Sequence, residues 1–423
     1  MTPFQFSALF VGALILTTLT KLWLARRHLS YIAAHRAEVP PAFQAGIGLA
    51  AHHKAADYTS AKTRLGMLNA LFETVLLLAF TLGGGIQQIA DFWPRYFTSP
   101  LMQGMAIIVS VLMISSLLEI PFGLYRTFVI EARFGFNKMT LALYLADAAK
   151  GLLLGAALGL PLLFGVLWMM EQMGKNWWLY VWGVWVIFNL LLLFIYPTFI
   201  APFFNKFTPL QDETLKAHVK ALLDKCGFTA QGLFIMDGSK RSAHGNAYFT
   251  GFGKTKRIVF FDTLLQHLTA AEIVAVLAHE LGHFKRHHVI KRIVFTFAMS
   301  LGFLWLLAQL MQADWFYQGL GVTMPTSSLS TALALLLFFM VLPVFSFLLQ
   351  PLFSYYSRKH EFEADAYASQ QADAQDLANA LVKMYQDNAA TLTPDPLYST
   401  FYDSHPPASV RIARLKNFSG APS

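Results

Sequence analysis

The stretch WWLYVWGVWVIFNLLLLFIYPTF, residues 177–199, contains no Asp, Glu, Lys or Arg. A helix needs about 20 mostly apolar residues to cross roughly 30 Å of hydrocarbon, so this run reads as a membrane span. Working outward from it, six further stretches meet the same requirement: 6–24, 65–86, 102–124, 151–170, 293–311 and 329–353. The first does not read as a cleavable leader. It is too long, it lacks a basic start, and Arg26, Arg27 and His28 follow it directly. Composition agrees with a membrane chain. Hydrophobic residues make up 56% of the 423 residues and charged residues 13%, against about a quarter charged in a soluble domain. High hydrophobicity with low charge excludes disorder. One cysteine, Cys226, excludes a disulfide framework. The net charge of +8 is read as basic loops facing anionic lipid, with no nucleic acid partner.

The loops set an orientation. The first carries Arg26, Arg27, Arg36, Lys54, Lys62 and Arg64, and the third carries Arg126, Arg133, Lys138 and Lys150. The second holds only Arg95, the fourth only Lys175, and the loop between the last two spans has no Lys or Arg. Basic residues mark the cytoplasmic side. The N-terminus is therefore expected outside, and the polar block 201–288 and the tail after residue 353 inside. Four segments follow: spans one to five over 1–200, a cytoplasmic unit over 201–288, spans six and seven over 289–353, and a cytoplasmic C-terminal part over 354–423. The expected fold is mainly α, with a small α/β unit. In that unit 213–226 has helical periodicity, and 232–236, 246–251 and 256–262 read as strands. Thr269-Ala270-Ala271-Glu272 is a capping box that starts a helix running to about residue 288.

On that helix lies His279-Glu280-Leu281-Gly282-His283. Residues four apart share a helical face, so both imidazoles reach one zinc ion. Glu280 stands beside the open position, where it can take a proton from the attacking water. Random placement of the 13 His and 10 Glu gives only about 0.01 occurrences of the pattern. His287 lies about 12 Å along a helix axis from His279, too far to share the ion. A histidine ten positions after His279 would suit another protease pattern, but that residue is Val289. The best source of a third ligand is Ser357–Asp365, where Glu361 and Asp365 share a face and Glu363 points away from Glu361. A carboxylate ligand with a second carboxylate one turn on suits an ion site whose histidine is braced from behind. A solvated charged helix after a span is the plainer alternative for this segment.

Several stretches together resemble the type I CAAX prenyl endopeptidases, integral-membrane zinc metalloproteases. They are Ile130–Lys138, Tyr196-Pro197 with Ala201–Asn205, His244–Phe249, His279–His283, Glu361–Asp365 and His405-Pro406-Pro407 with Arg411. The resemblance covers nearly the whole chain and its source is read as bacterial. It implies one zinc per chain held by His279, His283 and Glu361, with Glu280 as general base and acid. It implies that His405 faces the tetrahedral intermediate and that Arg411 holds the substrate backbone or terminus. It also implies seven helices around a water-filled intramembrane chamber, with which Glu73 and Glu119 are consistent. Asn246, with Ala247 and Tyr248, is a candidate for pairing a substrate strand; a turn asparagine is the plainer alternative. The sequence departs from the family at Gly245, where eukaryotic members have serine. It departs again at Ala408–Ile412, where Leu-x-Glu-Arg-Leu is usual.

The function expected is hydrolysis near the C-terminus of extended, possibly prenylated peptides, in a bacterial inner membrane rather than the endoplasmic reticulum, with Ala421-Pro422-Ser423 carrying no dilysine retrieval signal. Alternatives are a membrane quality-control protease with fewer spans, and a transporter with a regulatory metal site. Lipid is an expected partner, and the oligomeric state is open, with a monomer allowed.

Overall fold

The computed structural model describes residues 1–250, 257–324 and 329–419. The strand ends expected at Gly251 and Lys256 lie outside them. The helices are α1 (Pro3–Ala34), α2 (Leu49–Phe80), α3 (Gly85–Phe92), α4 (Pro100–Leu124), α5 (Leu141–Gln172), α6 (Trp177–Ile195), α7 (Ala201–Phe204), α8 (Glu213–Cys226) and α9 (Asp262–Leu265). They continue as α10 (Ala270–Lys285), α11 (His288–Leu310), α12 (Asp314–Gln318), α13 (Leu329–Ser346), α14 (Gln350–Gln371), α15 (Ala374–Asp387), α16 (Pro396–Tyr402) and α17 (Ala408–Ser419).

Among the described residues, seven helical stretches are long and apolar enough to cross a membrane. They correspond in order to the seven expected spans, and the chain is a multi-pass membrane protein. Each is longer than its apolar run. The span expected over 65–86 belongs to a helix that begins at Leu49 and stops at Phe80. Its end is set by Gly83-Gly84-Gly85: Gly84 takes φ +77, which favours glycine, and the chain restarts as α3. The expected span 151–170 begins earlier, because Thr140 caps α5 by accepting from the Leu143 N–H at 3.2 Å. Neighbouring spans follow one another as α1–α2–α4–α5–α6–α11–α13 and back to α1, and α13 also packs across onto α4 and α5. Their shared core lies towards one end. It includes Phe10, Ile107, Leu167, Trp177, Leu307 and Leu337. No described residue of α5 before Leu167, or of α6 after Val181, is buried.

The polar block forms a four-stranded sheet of β1 (Phe207–Pro209), β2 (Gly232–Met236), β3 (Ala247–Thr250) and β4 (Arg257–Phe261), in the order β1-β2-β4-β3. β2 and β4 are parallel; the other two pairings are antiparallel. Alternation sorts the side chains. Ile258 and Phe260 enter a core with Val219 of α8 and Leu277 of α10, while Val259 and Tyr248 face the other way into a cavity of about 300 Å³ beside Pro197 and Pro202. β3 is an edge strand.

The two halves are bolted together by polar contacts. Arg241 donates to both Asp147 oxygens, at 2.8 and 3.0 Å, to Asn205 Oδ1 and to the Phe204 carbonyl. The third loop pairs with the segment before β3: Ala243 N–H donates to Phe136 O, and Lys138 N–H to Arg241 O. At the chain ends, Arg27 of α1 donates from Nε to both oxygens of buried Asp395.

Candidate metal centre

The capping box is formed: Thr269 Oγ1 accepts from the Glu272 N–H at 3.3 Å, and Glu272 Oε2 accepts from the Thr269 N–H at 2.7 Å. The helix it starts ends at Lys285, short of residue 288. His287 takes φ +57, a left-handed turn that separates α10 from α11. His287 is therefore at the break between two helices and not on the stripe of His279 and His283. The next residue, His288, is the one that turns inward and is buried.

α10 packs tightly on α14. A Cβ on Gly282 would lie 2.9 Å from Ala364 Cα and 3.0 Å from its carbonyl oxygen. The bare glycine lets the two backbones approach, which brings Glu361 to the histidines. His279 Nε2 and His283 Nε2 are 3.2 Å apart. Glu361 Oε2 is 3.4 Å from His279 Nε2, and Oε1 is 3.3 Å from His283 Nε2. Tetrahedral zinc with bonds of about 2.0–2.1 Å would place its ligand atoms about 3.3 Å apart. Glu361 Oε2 is buried without a hydrogen-bond partner, a costly condition that an ion would relieve. The donor set therefore fits a metal. Glu280, half-buried on the same helix, is not one of the grouped ligands.

Behind the ligands, Asp365 Oδ1 lies 2.8 Å from His279 Nδ1. Burial and Arg411 disfavour a charged His279, but the Asp365 and Glu361 carboxylates outweigh them and raise its pKa to about 9. Arg411, expected to hold the substrate backbone or terminus, is buried; it donates to both Asp365 oxygens at 2.9 and 2.6 Å, with Nη1 3.4 Å from Glu361 Oε2. Burial works against its charge, but the hydrogen bond to Asp365 holds its pKa above the ordinary value.

His405 reaches the site from the loop between α16 and α17, with Nε2 3.5 Å from Glu361 Oε1 and Nδ1 2.9 Å from Ser404 Oγ. Arg358, one turn before Glu361, fixes that loop by donating from Nη1 to the carbonyls of Ser399, Thr400 and Asp403. Asn246 is exposed at the start of β3, and its Oδ1 accepts from the Ala247 N–H at 2.8 Å. Burial pushes the Tyr248 hydroxyl up to about 12. Sequence reasoning missed Gly282, Arg358, His288 and Glu363 as parts of the site. For Gly282 and Arg358 the signal would have been pairing between helices, which spacing along one helix does not carry.

A family model for the CAAX prenyl protease N-terminal region, with five membrane helices, matches residues 28–206, and one for peptidase family M48 matches residues 209–419. CAAX prenyl protease 1 of Saccharomyces cerevisiae is 32% identical over 89% of this chain and 88% of its own length. This chain belongs to the CAAX prenyl protease 1 family. An Arabidopsis thaliana CAAX prenyl protease 1 homolog is 37% identical over 81% of this chain and 82% of its own. The crystal structure of S. mikatae Ste24p superposes with a TM-score of 0.89 at 30% identity, covering 97% of this chain and 99% of that one. As a CAAX prenyl protease 1 family member the chain is a membrane metalloendopeptidase that acts on peptide or protein substrates. Nothing in these likenesses favours a transporter or a quality-control protease.

Proposed function

We propose that the chain is a zinc endopeptidase that cuts extended peptides near their C-terminus, CAAX-type peptides among them, with or without a prenyl group. The observation that carries this is the convergence of His279, His283 and Glu361 at tetrahedral spacing. One zinc per chain, held by these three, would supply Lewis acidity towards the scissile carbonyl and the attacking water. Glu280 takes the proton of that water as the new C–O bond forms, and hands it to the leaving amine as the C–N bond breaks. His405 Nδ1 lies 2.9 Å from Ser404 Oγ; in the tautomer in which Ser404 donates to Nδ1, Nε2 carries the proton and would donate to the carbonyl oxygen as that atom gains charge. Asp365 braces His279, and Arg411 braces Asp365 and Glu361. The free edge of β3, from Asn246 through Ala247 and Tyr248, receives the substrate backbone as an added strand.

Two observations support a water-accessible chamber among the spans. Mid-span residues of α5 and α6 are not buried. Glu73 and Glu119 lie within spans and are exposed, a placement that is costly against lipid and tolerable against water. A lipidated tail could stay in such a chamber, each buried CH₂ being worth about 0.8 kcal/mol. The alternation of basic loops supports a cytoplasmic site, and a bacterial inner membrane remains our reading of the location. One chain supplies all three grouped ligands, which is compatible with a monomer.

The test is cleavage of matched farnesylated and unmodified CAAX peptides by the purified protein. Both should be cut, the farnesylated one more efficiently. Chelation should abolish both activities and zinc should restore them. Activity confined to prenylated peptides would remove the tolerance claim. Cleavage only of unfolded membrane proteins would overturn the substrate reading.

A further inference from the structure

Glu361 is one of three acidic residues at alternate positions of α14, with Glu363 and Asp365. Asp365 braces His279 directly. Among the described residues, no carboxylate lies against His283 Nδ1. That nitrogen instead lies 3.1 Å from Nδ1 of His288. His288 is 4% exposed, and its other nitrogen, Nε2, lies 3.0 Å from Glu363 Oε2. His360 stacks on the His288 ring at 4.0 Å and 11°, fixing its plane. The left-handed turn at His287 aims His288 inward.

We infer that His288 and Glu363 form a positioning relay that fixes the tautomer of His283 for metal binding. With His288 neutral, the hydrogen-bond inventory leaves one consistent arrangement. An ionised carboxylate only accepts, so the His288 proton facing Glu363 is on Nε2. His288 Nδ1 is then an acceptor, and His283 Nδ1–H must be the donor. That leaves the lone pair of His283 on Nε2, the nitrogen that faces His279 and Glu361. A proton on His288 Nδ1 instead would push the His283 proton onto Nε2 and close the ligand position. Metal-bound histidines ordinarily give their second N–H to a carboxylate, a backbone carbonyl or water. Here an imidazole is inserted between His283 and its carboxylate, so α14 supplies one ligand and both braces. Neither His288 nor Glu363 touches the reacting atoms.

The inference rests on the proposed ligand set, and its test separates the two. Zinc affinity of the purified full chain is measured by competition with a chelator of known affinity, and folding by thermal unfolding of the metal-free protein. Glu361→Ala is the control for the ligand set; unchanged affinity there would refute the ligands and not the relay. Glu363→Leu, at a half-exposed position, should keep the unfolding temperature of the metal-free protein and weaken zinc by roughly 10–100-fold. His288→Leu should weaken zinc to a similar degree. Glu363→Gln should retain most of the affinity, because its amide oxygen still accepts from His288. The double Leu variant should be no weaker than the worse single one. Unchanged zinc affinity in Glu363→Leu, or losses that multiply in the double variant, would overturn the relay.

Discussion

At the scale of single residues, Glu280 and Glu361 carry the same carboxylate and have different tasks. Glu361 converges with the histidines, and Glu280 does not. Glu280→Gln should therefore leave zinc content unchanged, measured by metal analysis, while kcat falls by roughly 10²–10⁴-fold. Loss of the metal from that variant would make Glu280 a ligand. Arg411 gives the opposite expectation. Its removal strands Asp365 as a buried charge, which typically costs about 3–5 kcal/mol. Arg411→Ala should lower the unfolding temperature and the zinc content together. A rise in KM alone, with stability and zinc intact, would return Arg411 to the substrate terminus. The pairing of the two histidines was legible from spacing because one helix turn carries both. The burial of Arg411 was not, since only the folded chain shows what its guanidinium meets.

At the scale of elements, the decisive contact is that of α10 with α14. Gly282→Ala would place a Cβ against the backbone of Ala364, and backbone can yield only by moving a helix. Overpacking of this kind costs about 1–3 kcal/mol, and here it also moves Glu361 away from the histidines. The variant should lose stability and zinc affinity; Gly302→Ala, where a Cβ meets nothing within 4 Å, should lose neither. Equal behaviour of the two would mean that α10 and α14 have room to spare. Span existence was readable in the sequence because about 20 apolar residues leave few alternatives. Span ends were not, because helices such as α2 and α5 run on into polar residues where hydropathy stops reporting. The strands at 232–236 and the helix at 213–226 match their expected bounds. β1 was missed, since three residues with a terminal proline carry no alternation, and the break after Lys285 was missed because nothing in Arg286-His287-His288 resembles the usual glycine stop.

At the scale of the whole molecule, the alternation of basic loops and the succession of spans make one prediction about sidedness. In a Cys226→Ser background, a cysteine at exposed Ser99 should react with an impermeant maleimide from outside. One at exposed Asn417 should react only after the membrane is opened. The reverse pattern would put the metal centre on the other face. The order of the site residues along the chain has a consequence for biosynthesis. His279 and His283 leave the ribosome before span six, and Glu361 leaves it only after span seven. His405 and Arg411 follow near the very end. A nascent chain thus has none of the three grouped side chains until His279 is made, and only two of the three until Glu361 follows. If the proposed ligand set holds, the metal site closes only when α14 has packed onto α10, and a product truncated before α14 should be inactive in the cleavage assay. On the proposed ligand set, the order of synthesis is itself a safeguard: the three groups that would hold the metal meet only after α14 has formed.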